Sequence, residues 1–189
     1  MLKNGIKDPV SALTHFIGLL ACIPCIFALI FQASHQDAMT QVIGFAIFGL
    51  SLVLLYGAST IYHTLYVSEA KTILLRRIDH IMIFVLIAGT YTPICLVSLA
   101  GPWGWTMLAL IWILAIGGAV MKIFWIQAPR WLSTSLYIIM GWLAVIAFVP
   151  LQRAVSWDGV GLLLAGGLAY TVGAIIYGLK KPNLALAGF

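Results

Sequence analysis

Residues 41–65 read QVIGFAIFGLSLVLLYGASTIYHTL, and no Asp, Glu, Lys or Arg interrupts them. A helix needs about 20 predominantly apolar residues to cross the hydrocarbon core of a bilayer. This run is long enough, and it predicts a transmembrane helix. Its end is not plain lipid-facing sequence, because Ser59 and His63 lie four residues apart. On a helix they share one face, about 6 Å apart along the axis. After a short basic loop comes Arg76-Arg77-Ile-Asp79-His80, at the start of the next apolar run.

The rest of the chain repeats this pattern. Of its 189 residues, 63% are hydrophobic and 8% are charged, where a soluble domain carries about 25% charge. The charges gather in short clusters between long apolar runs, which excludes a soluble globular class. A net charge of +5 could suggest a nucleic-acid partner. The basic residues stand singly or in pairs beside apolar segments, however, as membrane topology places them, and no nucleic-acid footprint results. Lys3 and Lys7 precede the first apolar run as in a signal peptide. That run is about 20 residues long, beyond the usual secretory core, and is read as a retained span.

Six spans follow, at roughly residues 11–31, 41–65, 78–99, 103–123, 132–149 and 159–179. Together they predict an all-α, polytopic transmembrane helix bundle forming a single domain over residues 1–189. Pro93, in Gly89-Thr-Tyr-Thr-Pro93, removes a backbone donor and predicts a kink in span three. Ala100-Gly-Pro102 predicts a tight turn, and Pro150 the end of span five. With the N-terminus in the cytoplasm, nine of the ten Lys and Arg residues fall inside and only Arg153 outside, a strong positive-inside bias. Trp103, Trp105, Trp131 and Trp157 sit near span ends as interfacial anchors. Gly117-Gly118 and Gly166-Gly167 permit close helix approach. Cys22 and Cys25 have Cys-x-x-Cys spacing but lie inside span one. With Cys95, they are read as buried small hydrophobes rather than a redox or zinc pair.

This topology brings polar groups to one depth. His63 ends span two on the cytoplasmic side, Asp79 and His80 open span three there, and His15 lies in the early part of span one. Ionisable groups within spans usually have partners or a function. Imidazole and carboxylate are good zinc ligands, and a catalytic zinc site has three protein ligands and a water. Structural explanations stand beside this one. Asp79 could be a helix-start residue favoured by the macrodipole and paired with Arg76, and His63 an interfacial histidine. His80 points about 100° away from Asp79 around the helix and is read as structural. His15 is read as a packing or hydrogen-bonding residue.

Ser59-x-x-x-His63, Arg77-Ile-Asp79-His80, Ala88-Gly89-Thr-Tyr-Thr-Pro93, Met140-Gly-Trp142 and Thr14-His15 together resemble the bacterial hemolysin III family. That family is a branch of the wider progestin and adipoQ receptor family, which includes the adiponectin receptors. The resemblance runs from about Asp8 to Asn183. It implies seven helices, a cytoplasmic N-terminus and an intramembrane zinc near the cytoplasmic side. It also implies that His63 binds the metal, that Asp79 holds its water and that Ser59 supports the site. Two further ligands would come from a His-x-x-x-His motif in the seventh helix, which does not occur in this sequence. The expectation is therefore of a truncated chain in which Lys180–Phe189 leads into another span.

The function expected of the complete form is an intramembrane zinc-dependent hydrolase of lipid amides such as ceramides, in the inner membrane of a bacterium. Asp79 and Ser59 are its catalytic candidates and His63 its metal ligand; membrane lipid is the expected partner and nucleic acid is not. A non-enzymatic membrane-homeostasis regulator or receptor is the alternative. A pore-forming cytolysin ranks below both, because the chain is apolar throughout and lacks a soluble-to-membrane design.

Overall fold

In lipid a backbone amide has no water to bond, so an apolar chain must satisfy its hydrogen bonds within helices. A computed structural model describes residues 5–36 and 38–179, and seven α-helices account for nearly all of them. They are α1 (Pro9–His35), α2 (Met39–Thr64), α3 (Glu69–Pro93), α4 (Pro102–Phe124), α5 (Arg130–Trp142), α6 (Phe148–Ala154) and α7 (Trp157–Leu179). Among the described residues, α1, α2, α4, α7 and the continuous segment Glu69–Ser98 are long and apolar enough to span a membrane. The pair Arg130–Val145 and Phe148–Ala154, bent by 58°, makes up to a sixth crossing. The protein is thus a polytopic helical membrane protein. The basic Lys180–Asn183 cluster and the apolar tail after it lie outside the described residues.

Two expected boundaries are corrected. The helix carrying Asp79 starts at Glu69 rather than near residue 78. Hydropathy marks where lipid begins, whereas residues 69–77 form a more polar helical extension. Asp79 therefore lies almost three turns inside α3, too deep for a macrodipole effect confined to the first turn. Pro150 does not end the fifth span. The chain passes through a 3₁₀ turn at Leu143–Val145 and bends into α6, whose third residue is Pro150. In a first turn the missing proline N–H has no partner to lose.

The kink expected at Pro93 takes the form of a π-helical stretch, Ile94–Ser98. The tight turn ends at Gly101, whose φ of +87° suits glycine, and Pro102 opens α4.

The core lies where α3 meets α2, α4 and α5. Phe84, Ala88, Cys95, Met107, Ile111 and Met140 are fully enclosed. Small residues let the helices close. A Cβ on Gly118 would overlap the Phe84 ring, and one on Gly104 would overlap the Cys95 carbonyl oxygen. Gly117 and Gly166 meet nothing within 4 Å, so only Gly118 of these three makes the close approach expected of the glycine pairs. Leu13, Phe16, Phe27, Leu162, Leu168 and Val172 point outward from α1 and α7, as lipid-facing residues do. The four tryptophans are exposed near the starts of α4, α5 and α7. Cys22 and Cys95 are buried, Cys25 is exposed, and none is bonded to another.

Candidate functional site: a polar cavity at one end of the bundle

A cavity of about 420 Å³ opens where the ends of α2, α3, α4, α5 and α7 meet. His63, Asp79 and His80 line it with Arg76, Lys122, Arg130, Ser133 and Tyr177. Three of the polar residues singled out from sequence are therefore neighbours in space. The other two, Ser59 and His15, do not line the cavity.

His63 is held from behind. Its Nδ1 lies 2.9 Å from Asp8 Oδ2, and the Asp8 backbone N–H donates to the His63 carbonyl at 2.9 Å. The His15 ring stacks on the His63 ring at 5.5 Å, and a hydrogen bond of 3.2 Å joins His15 Nδ1 to Ser59 Oγ. Ser59, 4% exposed, thus steadies His63 through His15. With Nδ1 protonated toward the carboxylate, His63 Nε2 keeps a free lone pair, and it has no hydrogen-bond partner among the described residues.

Asp8 and Lys7 complete the end of α2. The last four carbonyls of a helix lack partners inside it. Here Leu65 N–H reaches Ile61, Lys7 Nζ reaches Tyr62 at 2.6 Å, Asp8 N–H reaches His63, and Lys7 N–H reaches Thr64. The Lys7 ammonium also sits 3.4 Å over the Tyr62 ring and 3.7 Å from Asp8 Oδ2, a favourable charge at a helix C-terminus. Burial pushes the Lys7 ammonium below its ordinary pKa, and Asp8 draws it part of the way back. Sequence reasoning missed both residues. The available signal was a lone carboxylate just before a span, and nothing local ties it to a residue 55 positions away.

Asp79 is 8% exposed. Among the described residues its carboxylate lies 3.7 Å from His80 Nδ1, and no ion pair joins it to Arg76. His80 is fully engaged: Nδ1–H donates to the Arg76 carbonyl at 2.7 Å, and Nε2 accepts from the Tyr177 hydroxyl at 3.0 Å. The Tyr137 hydroxyl donates to the His80 carbonyl at 3.2 Å. His80 therefore joins α3 to α5 and α7 and has no ring nitrogen left for a metal.

His63 and Asp79 present the donor types that zinc takes, and the Asp8–His63 bond matches the carboxylate support typical of a metal-bound histidine. They are only part of a ligand set. Among the described residues no three His, Cys, Asp or Glu side chains form a metal-holding group.

The model of the haemolysin-III-related family matches residues 4–188. The chain belongs to this family. It is 44% identical to Hemolysin-3 of Bacillus cereus over 181 residues, covering 95% of this chain and 82% of that protein. It is 45% identical to a Hemolysin-3 homolog of Bacillus subtilis over 177 residues, covering 93% and 83%. A more distant likeness, 25% over 138 residues, reaches the human Monocyte to macrophage differentiation factor and covers 69% of this chain and 56% of that protein. No solved structure matches.

Proposed function

We propose that this haemolysin-III-type protein is an intramembrane zinc-dependent hydrolase of lipid amides. Its membrane would be the inner, cytoplasmic membrane of a bacterium, with the N-terminus and the polar cavity on the cytoplasmic side. The observation that carries the reading is the Asp8–His63 pair behind a cavity wall that also holds the buried Asp79 carboxylate. The orientation is supported by the sequence, in which a cytoplasmic N-terminus leaves nine of the ten Lys and Arg residues inside.

In this reading Asp8 keeps the His63 proton on Nδ1 and turns Nε2 toward the cavity. Asp79 accepts the proton of a water held beside it, at a position shielded from bulk solvent, and Ser59 restrains His63 through His15. Zinc, when bound, would supply the Lewis acidity that lowers the pKa of a water toward 7. His63 would be one of its ligands; the others are not among the described residues.

Metal analysis of the protein purified from membranes tests the ligand assignment: His63→Ala should lose zinc, and retention of zinc by that variant defeats the assignment. Incubation with a panel of ceramides tests the reaction, and turnover should disappear in Asp79→Ala. If the wild-type protein binds zinc and turns over no lipid amide, the non-enzymatic regulator or receptor is the better account.

A further inference from the structure

The cavity holds more positive charge than its proposed chemistry uses. Arg76, Lys122 and Arg130 line it, and Asp79 is the one carboxylate among the described lining residues. Asp8, the other carboxylate nearby, is already bonded to His63. Lys122 is 3% exposed as a residue, and among the described residues no hydrogen bond or ion pair holds its ammonium, which lies at the cavity wall. Its stem is buried while its charged head stays open to the cavity and able to take an anion. Ser133 adds a donor on the facing helix: its hydroxyl is buried and has no hydrogen-bond partner among the described residues. An unpaired ammonium, a buried hydroxyl and two guanidinium groups around one cavity form a donor set that exceeds the single Asp79 carboxylate there.

A second cavity, of about 370 Å³, lies deeper between the same helices α3, α5 and α7. Ile87, Tyr91, Gly141, Leu163, Gly166 and Tyr170 are among its lining residues. The offset from the first cavity is similar on each helix. On α3 it runs from His80 to Ile87, on α5 from Ser133 to Gly141, and on α7 from Tyr177 back to Tyr170. Seven or eight residues correspond to about 11 Å along the axis. A polar, cationic cavity and a separate apolar cavity about two turns further along the same helices, with the Phe84–Tyr137 contact between their levels on α3 and α5, suit a molecule with an oxyanion head and a hydrocarbon tail that runs along the α3–α5–α7 surface.

We propose that the two cavities together bind a single-chain lipid with a phosphate-bearing headgroup. Arg76, Lys122, Arg130 and Ser133 take the phosphate oxygens, and the α3–α5–α7 groove takes the acyl chain. The assignment rests on the reading of this cavity as a lipid site, but it requires neither metal nor turnover. The phosphate could also arrive as the free ion, so the test separates the two sources.

The experiment measures equilibrium binding to the purified chain in nanodiscs of neutral phosphatidylcholine. The probes are lysophosphatidic acid, monoacylglycerol of the same chain length and inorganic phosphate. Lysophosphatidic acid should bind about ten-fold tighter than monoacylglycerol. That preference should fall about five-fold in Lys122→Met and in Arg130→Gln, and stay unchanged in Arg153→Gln at the far side of the bundle. Arg130 is exposed, so its variant keeps the test decisive if Lys122→Met does not fold. Equal affinity for the two lipids overturns the proposal, as does competition by inorganic phosphate as strong as that by the lipid. Asp79→Asn separates this proposal from the hydrolase. It removes the carboxylate facing the bound anion, so it should bind lysophosphatidic acid at least as tightly while abolishing any turnover. Weaker binding in that variant counts against the phosphate assignment, whereas absent turnover in the wild type counts only against the hydrolase.

Discussion

Two stretches of α3 sit in very different surroundings. From Phe84 to Cys95 the face of the helix toward α2, α4 and α5 is closely packed, with Phe84, Ala88 and Cys95 fully buried, and only its α7 side borders the apolar cavity at Ile87, Thr90 and Tyr91. One to two turns earlier, Arg76–His80 border a void. In lipid, two apolar helices gain nothing by hiding from the solvent, so they associate through close packing and hydrogen bonds. The packed stretch follows that rule. The open stretch departs from it and keeps charged groups around a cavity, where intramembrane ionisable groups mark a functional site.

The largest expected effect would break the packed side of this contrast. In Gly104→Val the new side chain meets a backbone oxygen that cannot rotate away, and stability should fall by about 3 kcal/mol. Thermal unfolding in detergent reads it, and an unchanged midpoint would show that α4 does not press on the π-helical stretch. Phe84→Ala should cost about 2 kcal/mol in the same assay. The figure lies below the usual 3–5 kcal/mol for a soluble core, because lipid removes most of the transfer contribution and leaves the lost packing.

At the open end, the proposed zinc site predicts that Asp8→Asn lowers zinc affinity by about ten-fold with little change in thermal stability, as measured by competition with a metal chelator. Unaltered affinity would mean that Asp8 only caps α2. Tyr137→Phe removes one hydrogen bond to the His80 carbonyl and should cost about 1 kcal/mol. Gly166→Ala sharpens the contrast from the other side. A Cβ there meets nothing within 4 Å, so stability should stay within about 0.5 kcal/mol of the parent.

Much of the fold was legible along the chain. Uncharged runs of 18 or more residues signal membrane helices, and Pro93, Gly101 and Pro102 act on their own backbone, so the end of α3 and the turn into α4 could be anticipated from local chemistry. The start of α3 could not, because the polar residues Glu69–Arg77 form helix as readily as loop. The bend into α6 was hidden for a related reason: a proline in a first turn and a proline after a last turn look alike in sequence. The candidate site was partly legible. Helical spacing and topology brought His63 and Asp79 to one depth. His80 was read as structural from its angle to Asp79, while its partners Tyr177 and Tyr137 were out of view. Lys122 and Ser133 gave no signal, since a lysine near a span end and a serine in an amphipathic turn are ordinary.

The sequence alone determined that this chain is a membrane-embedded helical bundle with its basic residues biased to one side, because the water–lipid transfer of each residue depends on that residue alone. Only the tertiary structure decided that Asp8 supports His63, that Ser59 acts through His15, and that Lys122 and Ser133 face a shared void. Those facts depend on which helix ends meet in three dimensions, and hydrogen bonds reach only about 3 Å, so no spacing along the chain could have announced them.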